Sequence, residues 1–328
     1  MLRKIKAPLE RRGVQLLFAF ITVLIGIQFI RFVNSYLDPG SVAMISRPAG
    51  VEGFLPISAL VALTAWLVTG VFDQIHPAGL VLFLLIMGIS LVLKRSFCSW
   101  VCPIGTLSEG LALLGKKIFG RNFSLPLWLD YILRSLKYVL LGFFVFFIFI
   151  GMSGAAAYAF LQTPYNMIAD VKMLDFFKNM SAVGVSVIAI LVLFSLLVEN
   201  FWCRYLCPYG ALLGLLSIFS PFKISRNTET CISCERCTAV CPNRLKVAKK
   251  KTIWSPECTG CLNCVKSCPV DKTLELKSTS LILTPQRAAL SILIVWFSVV
   301  AIAKLTGNWE TSIPPEMYKV LIPMAGQF

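Results

Sequence analysis

Cysteine spacing constrains this chain more than any other feature. Residues 231–269 read Cys231-x-x-Cys234-x-x-Cys237-x-x-x-Cys241-Pro242, then Cys258-x-x-Cys261-x-x-Cys264-x-x-x-Cys268-Pro269. A [4Fe–4S] cube needs four thiolates at the corners of a tetrahedron. Two residues between neighbouring cysteines let one tight loop supply three of them. The fourth comes from the other motif, because the chain crosses over between the two sites. The spacing therefore assigns Cys231, Cys234, Cys237 and Cys268 to one cluster, and Cys258, Cys261, Cys264 and Cys241 to the other. Pro242 and Pro269 end each ligand run and keep it from continuing as helix. Paired Cys-x-x-Cys motifs also bind zinc, but zinc needs only four sulfurs and no three-cysteine run. A disulfide framework fits worse, because it needs an oxidising compartment.

The doubled run is the two-cluster bacterial ferredoxin pattern, so this segment handles electrons one at a time. The chain around it is apolar: 328 residues, 57% hydrophobic, 14% charged, mean hydropathy +0.78. A soluble domain carries about 25% charge. The expected fold is mainly α: a polytopic membrane helix bundle of about five spans plus one re-entrant or interfacial helix, carrying a small α+β two-cluster ferredoxin module. The expected division is a membrane domain over 1–222, the ferredoxin domain over 223–280, and a C-terminal transmembrane helix and tail over 281–328. The net charge of +15 is better explained by a bilayer with basic residues collected on one side than by nucleic acid. His76 is the single histidine. A transmembrane b-type haem usually takes two axial histidines, so none is expected.

Apolar runs cover Val14–Val33, Ile57–Phe72, Ala78–Leu93, Ser135–Met152, Ala182–Val198 and Ala288–Leu305. Arg3, Lys4, Lys6, Arg11 and Arg12 precede the first, which is long enough to span and lacks a clean cleavage site. It reads as an anchor with the N-terminus inside. The ferredoxin module and the basic flanks Lys94/Arg95, Lys116/Lys117 and Lys223/Arg226 also belong inside. If every run crossed, Lys94, Arg95 and Cys98 would fall outside. One run must therefore not cross. Ile57–Phe72 is short, opens after Pro56 and ends in Asp73-Gln74-Ile75-His76-Pro77, so it reads as re-entrant or interfacial on the outer side. Five spans result, in a bacterial or archaeal cytoplasmic membrane, with the ferredoxin module in the cytoplasm and the C-terminus outside.

The chain also repeats itself. Phe97-Cys98-Ser99-Trp100-Val101-Cys102-Pro103-Ile104-Gly105 aligns with Trp202-Cys203-Arg204-Tyr205-Leu206-Cys207-Pro208-Tyr209-Gly210. Each copy follows a span and precedes an apolar helix-like stretch, about Ile104–Phe119 and Tyr209–Phe219. Two copies of one orientation imply a pseudo-two-fold axis along the membrane normal. Cysteines four apart share one helix face, and the axis brings the pairs together. Cys98, Cys102, Cys203 and Cys207 are thus candidates for a further Fe–S cluster. Redox-active thiols and plain buried cysteines are the other readings.

Two Cys-x-x-x-Cys-Pro motifs after membrane helices, followed by a two-cluster ferredoxin segment, resemble the NapH/NosR-type membrane ferredoxins. These are quinol dehydrogenase subunits associated with periplasmic reductases such as nitrate reductase. The resemblance covers about Lys94 to Lys277 by motif. It implies quinol oxidation and electron transfer through [4Fe–4S] clusters, from the membrane quinone pool to a partner oxidoreductase or electron-carrier subunit. The sequence shows neither the flavin-bearing N-terminal domain of the NosR type nor the large C-terminal domain of the cytochrome oxidase assembly ferredoxins. It is closest to the short NapH-like members. An assembly or maturation role, or redox sensing, is the alternative class.

Two outer loops concentrate ionisable groups around the non-crossing run: Arg47 and Glu52 before it, Asp73 and His76 after it. Ionisable groups at membrane depth are functional candidates. A quinol loses two protons with its two electrons, and His or a carboxylate accepts them. These four residues are the candidate quinol site, with Trp66 in the apolar wall. The bland alternative is a surface Arg47–Glu52 pair and a turn capped by His76. Thr163, Tyr165, Asn166 and Asp170 are weaker candidates, and Trp100, Arg204 and Tyr205 mark a rival site near the clusters. Lys246, Lys249, Lys250 and Lys251 form a solvated face, a lipid contact or a docking patch for an acidic electron carrier. Reporter fusions at Ser278 and Phe328 should report opposite sides of the membrane. The same side for both would reject the five-span count.

Overall fold

The computed structural model describes residues 9–37 and 45–327. Arg3, Lys4, Lys6 and Phe328 lie outside the described residues. The chain is mainly helical, and three helices are long and apolar enough to cross a membrane: α1 (Leu9–Leu37) from Glu10 onward, Leu127–Ile150 and Pro285–Leu305. They contain the runs expected at Val14–Val33 and Ala288–Leu305, and most of Ser135–Met152. The helices Ala169–Lys178 and Ala182–Leu197 pass the same test only as a bent pair. α2 (Pro56–Thr69) has 14 residues, about 21 Å at ~1.5 Å per residue. That is short of a hydrocarbon core of ~30 Å. α3 (Pro77–Leu93) has 17 residues, or about 25 Å. Proline opens α2, α3 and Pro285–Leu305, where its missing N–H costs no helical hydrogen bond.

Two compact units make up the chain. The first takes the residues up to Phe20, then 86–141 and 188–296. Its polar part is a three-stranded antiparallel sheet of β1 (Lys223–Arg226), β2 (Leu274–Lys277) and β3 (Ile282–Leu283), in that order, with Arg226 opposite Leu274 and Leu276 opposite Leu283. Ile224, Leu274 and Leu276 point into a core shared with Phe97, Trp100, Leu213, Cys258, Leu262 and Cys264. This sheet and the two cysteine loops are the ferredoxin module.

Within this unit the helix Pro103–Phe119 passes the end of Ala182–Leu197 backbone to backbone. A Cβ built on Gly115 would lie 1.8 Å from the carbonyl oxygen of Leu196. Lys94 and Arg95, expected as a basic flank on the inner side, are buried. The Lys94 ammonium donates to the carbonyl of Ser217 at 3.2 Å and the Arg95 guanidinium to that of Gly210 at 2.9 Å. Backbone carbonyls at the end of Pro208–Leu216 and at its first turn replace water around both cations.

The second unit comprises 21–85, 142–187 and the residues from Phe297 onward. Its core joins Phe29, Phe32 and Val33 of α1 to Val51, Ile75, Ile168, Val171, Tyr318 and Leu321. Short helices Gly154–Leu161, Pro164–Met167 and Ala169–Lys178 follow one another, and Thr163 caps the second by accepting the Asn166 N–H at 3.3 Å. The Ile57–Phe72 run forms α2, which ends at Gly70 in the left-handed region. Gly115→Ala should lower stability by about 1–3 kcal/mol by overpacking, read as a lower unfolding temperature in detergent. Gly110→Ala, which meets open space, should not.

Candidate iron–sulfur sites and a buried ionisable cluster

Cys241, Cys258, Cys261 and Cys264 line one partly open pocket of about 390 Å³, open solvent included, and Cys231, Cys234, Cys237 and Cys268 line another of about 370 Å³. Cys241 thus shares a pocket with the second three-cysteine run and Cys268 with the first. Among the described residues no three His, Cys, Asp or Glu side chains converge where one metal ion would sit. Sulfurs spread around a cavity suit a cube, in which each thiolate binds its own iron. Backbone conformation supports the fit. Ser233 and Glu235 in the first loop have φ of 53°, and Gly260 and Leu262 at the matching positions of the second have φ of 59°. Left-handed residues alternating with ordinary ones turn successive N–H groups toward one concavity, which suits an anionic Fe–S core. Three of the four carry a side chain, so each loop holds them against a steric cost of roughly 1–2 kcal/mol per residue.

The Cys-x-x-x-Cys-Pro pairs differ from the helix-face expectation. Cys98 sits in the short helix Ser96–Trp100, but Cys102 is extended at φ −62° and ψ 120°. Cys203 lies in a wide turn at Trp202–Leu206, and Cys207 is extended at φ −72° and ψ 105°. Neither pair shares one continuous helix. Pro103 and Pro208 push the residue before them out of helical conformation, so each pair straddles a break between two helices. The break still gathers all four thiols: Cys203 has Cys98, Cys102 and Cys207 as its electrostatic neighbours. Gly105 makes this possible, because a Cβ there would lie 2.1 Å from the carbonyl oxygen of Cys98.

Buried cations stand beside these thiols. The Arg95 guanidinium acts on Cys98 and Cys203, and its Nε has no hydrogen-bond partner. Glu257 joins this group from the residue before Cys258. Its carboxylate accepts both contacts from the Lys137 ammonium, at 2.6 and 2.7 Å, and the Tyr138 hydroxyl at 2.9 Å. Burial pushes the Glu257 pKa up, but Arg95 and Lys137 outweigh it and hold the carboxyl below its ordinary value. Arg204 and Tyr205 both donate to Asp130, the tyrosine hydroxyl at 2.5 Å, and Arg134 pairs with the same carboxylate at 2.6 Å. Lys137, Glu257 and Asp130 carry no sequence motif. Only their ionisable character within or beside apolar runs could have drawn notice.

In the second unit the structure brings together Arg47, Glu52 and His76, all buried. Arg47 forms ion pairs with Glu52 at 2.6 Å and with Asp170 at 2.7 Å. The Glu52 carboxylate also accepts the Gly79 N–H in the first turn of α3, at 2.8 Å. The Arg47–Glu52 pair, which the alternative reading put at the surface, is thus internal. Asp170, a weaker candidate from sequence, is a central member, and Asn166 is another: its carbonyl meets His76 Nε2 at 2.6 Å, while its side chain accepts from Ser58 at 2.8 Å. Asp73, rather than His76, caps the turn. Its carboxylate accepts the N–H groups of Ile75 and His76, and burial pushes its pKa up. Burial lowers the His76 pKa, yet Glu52 raises it further, and the net value lies above the ordinary one.

The family model of a 4Fe-4S binding domain matches residues 75–122 and again 181–227, one match around each Cys-x-x-x-Cys-Pro motif. That of a 4Fe-4S dicluster domain matches 223–269. YccM of Escherichia coli (strain K12), which carries a provisional electron-transport name, is 43% identical over 322 residues, 96% of this chain and 90% of that one. The chain belongs to the NapH/NosR-type family of membrane-bound 4Fe-4S ferredoxins. Ferredoxin-type protein NapH of the same organism is 30% identical over 187 residues, covering 54% of this chain and 60% of NapH. The methylamine utilization ferredoxin-type protein MauN of Methylorubrum extorquens is 29% identical over 233 residues, 67% of this chain and 75% of MauN. No solved structure matches. This membrane ferredoxin is accordingly an electron-transfer protein that binds Fe–S clusters.

The crossover makes a selective prediction. Cys241→Ser should abolish the EPR signal of the cluster held by Cys258, Cys261 and Cys264 and spare the other. Loss of the Cys231/Cys234/Cys237 signal instead would reverse the assignment. Cys98→Ser combined with Cys203→Ser should lower iron per chain, and unchanged iron would remove the third cluster.

Proposed function

We propose that this membrane ferredoxin oxidises quinol from the membrane pool and passes the electrons to a partner oxidoreductase. One quinol yields a quinone, two protons and two electrons. When bound, a [4Fe–4S] cluster supplies one-electron storage. Cys231, Cys234, Cys237 and Cys268 would hold one, Cys258, Cys261, Cys264 and Cys241 a second, and Cys98, Cys102, Cys203 and Cys207 a third. Arg95 and Lys137 would offset the negative charge of the last set.

The observation that carries the quinol reading is the buried Arg47–Glu52–His76–Asp170 network in a membrane protein that handles electrons. The Asn166 carbonyl can only accept, so His76 Nε2 carries a hydrogen. Nδ1 is then the basic nitrogen, with Arg47 at 3.3 Å and Glu52 at 3.5 Å. A proton delivered to Nδ1 is stabilised by the Glu52 carboxylate, and Arg47 stays paired with Glu52 and Asp170. Asp73 fixes the turn that presents the imidazole. α2 supplies apolar wall through Trp66, whose ring packs edge-on against Phe72 at 5.7 Å between centroids. On the positive-inside reading this network faces outward and the ferredoxin module faces the cytoplasm.

Placing a proton acceptor is worth about 10²–10⁴-fold in rate. His76→Ala and Glu52→Gln should each slow quinol-dependent cluster reduction at least about tenfold, with iron content retained. If both variants keep the wild-type rate at full iron content, the quinol site moves to Arg204 and Tyr205.

A further inference from the structure

Residues between the cysteines of each Cys-x-x-x-Cys-Pro motif reach out of that motif to the ferredoxin loops: Ser99 and Trp100 from the first, Arg204 from the second. The Ser99 hydroxyl donates to the carbonyl of Thr259 at 2.7 Å, a shorter contact than its 3.3 Å approach to the Ser96 carbonyl. The Trp100 indole N–H donates to the carbonyl of Gly260 at 3.0 Å. Both acceptors lie between Cys258 and Cys261. In the second copy Arg204 stands where Ser99 stands in the first, and its guanidinium donates to the carbonyl of Pro242, next to Cys241, at 3.1 Å. Both copies therefore grip the same ferredoxin site, one on its three-cysteine loop and one on its fourth cysteine.

We infer that these residues are a two-armed clamp that positions the Cys258/Cys261/Cys264/Cys241 site and raises the reduction potential of its cluster. The mechanism is polarisation through peptide units. A donor on a carbonyl makes the N–H of the same peptide a stronger donor. The peptide that Arg204 contacts carries the Asn243 N–H, two residues from Cys241, whose sulfur accepts the Leu245 N–H at 3.4 Å. The peptides contacted by Ser99 and Trp100 carry the N–H groups of Gly260 and Cys261, within the loop whose left-handed residues turn N–H groups inward. Stronger donation to the sulfurs favours the reduced, more negative cluster and raises its potential.

The arms are themselves fixed. The Ser99 carbonyl accepts from Gln15 at 3.0 Å and Arg11 at 3.3 Å, and Arg11 is held by Glu109. Asp130 holds Arg204 through two 3.0 Å bonds. The three residues whose carbonyls are contacted, Thr259, Gly260 and Pro242, all line the Cys258-site pocket, and none of them lines the pocket of Cys231, Cys234, Cys237 and Cys268, so the clamp acts on one site.

This inference rests on the cysteine sets holding iron–sulfur clusters and is independent of quinol oxidation. The experiment therefore uses a chemical reductant. Midpoint potentials of the two ferredoxin clusters are measured by EPR at poised potentials in the full-length protein and in Ser99→Ala, Trp100→Phe and Ser99→Thr. The expected result is a downward shift of the Cys258-site midpoint in Ser99→Ala and Trp100→Phe, an unchanged midpoint at the Cys231 site, and recovery in Ser99→Thr, which keeps the hydroxyl. Selective loss of the Cys258-site signal, with the other intact, supports the clamp equally. Shifts in both clusters alike, no shift in either variant, or loss of both signals would overturn it.

Discussion

Burying charge in an apolar protein is the constraint on which both units depend. A lone buried ion is costly, and removing one partner of a buried pair costs about 3–5 kcal/mol. Several of the described buried ions are accordingly matched by opposite charge, Arg11 with Glu109, Lys137 with Glu257, Arg204 with Asp130, and Arg47 with two carboxylates, while Lys94 and Asp73 are met by backbone groups. These pairs join segments far apart in sequence. Arg47 and Asp170 are separated by 123 positions, Lys137 and Glu257 by 120. In a chain with few charges such pairs restrict which packing of the helices is allowed.

The same constraint explains how the thiol sites are surrounded. Four thiolates around a cluster bring net negative charge into a poorly solvated place. Arg95 and Lys137 stand beside the Cys98/Cys203 set, and backbone N–H groups turn toward the ferredoxin sites. The chain uses cations where the thiols are embedded among helices and peptide dipoles where they sit in loops. Left-handed backbone at Ser233, Glu235 and Leu262 shows that the loop geometry prevails over side-chain preference.

Much of this was legible in the sequence because cysteine spacing is a direct statement of local geometry. The two ferredoxin sets, with Cys241 and Cys268 exchanged, follow from it, and the apolar runs foretold the long helices. The Cys98 and Cys203 pairs were read as helix faces from their spacing alone. Pro103 and Pro208 were visible, but the break they impose falls between the cysteines rather than after them. The burial of Lys94 and Arg95 is not legible, because their acceptors, backbone carbonyls more than a hundred residues away, leave no trace in composition. Glu257 carries no signal in the sequence and Asp170 only a weak one, because lone carboxylates acquire meaning only from a cation brought to them by folding.

The exchange of Cys241 and Cys268 has a consequence for how the protein is made. As the sites are assigned, neither cavity has its four sulfurs until both motifs have been synthesised and folded against each other. The first motif emerges from the ribosome ahead of the second and waits with three sulfurs and an open corner. Because metal binding and folding are coupled in such sites, each motif depends on the folding of the other for its full set of sulfurs.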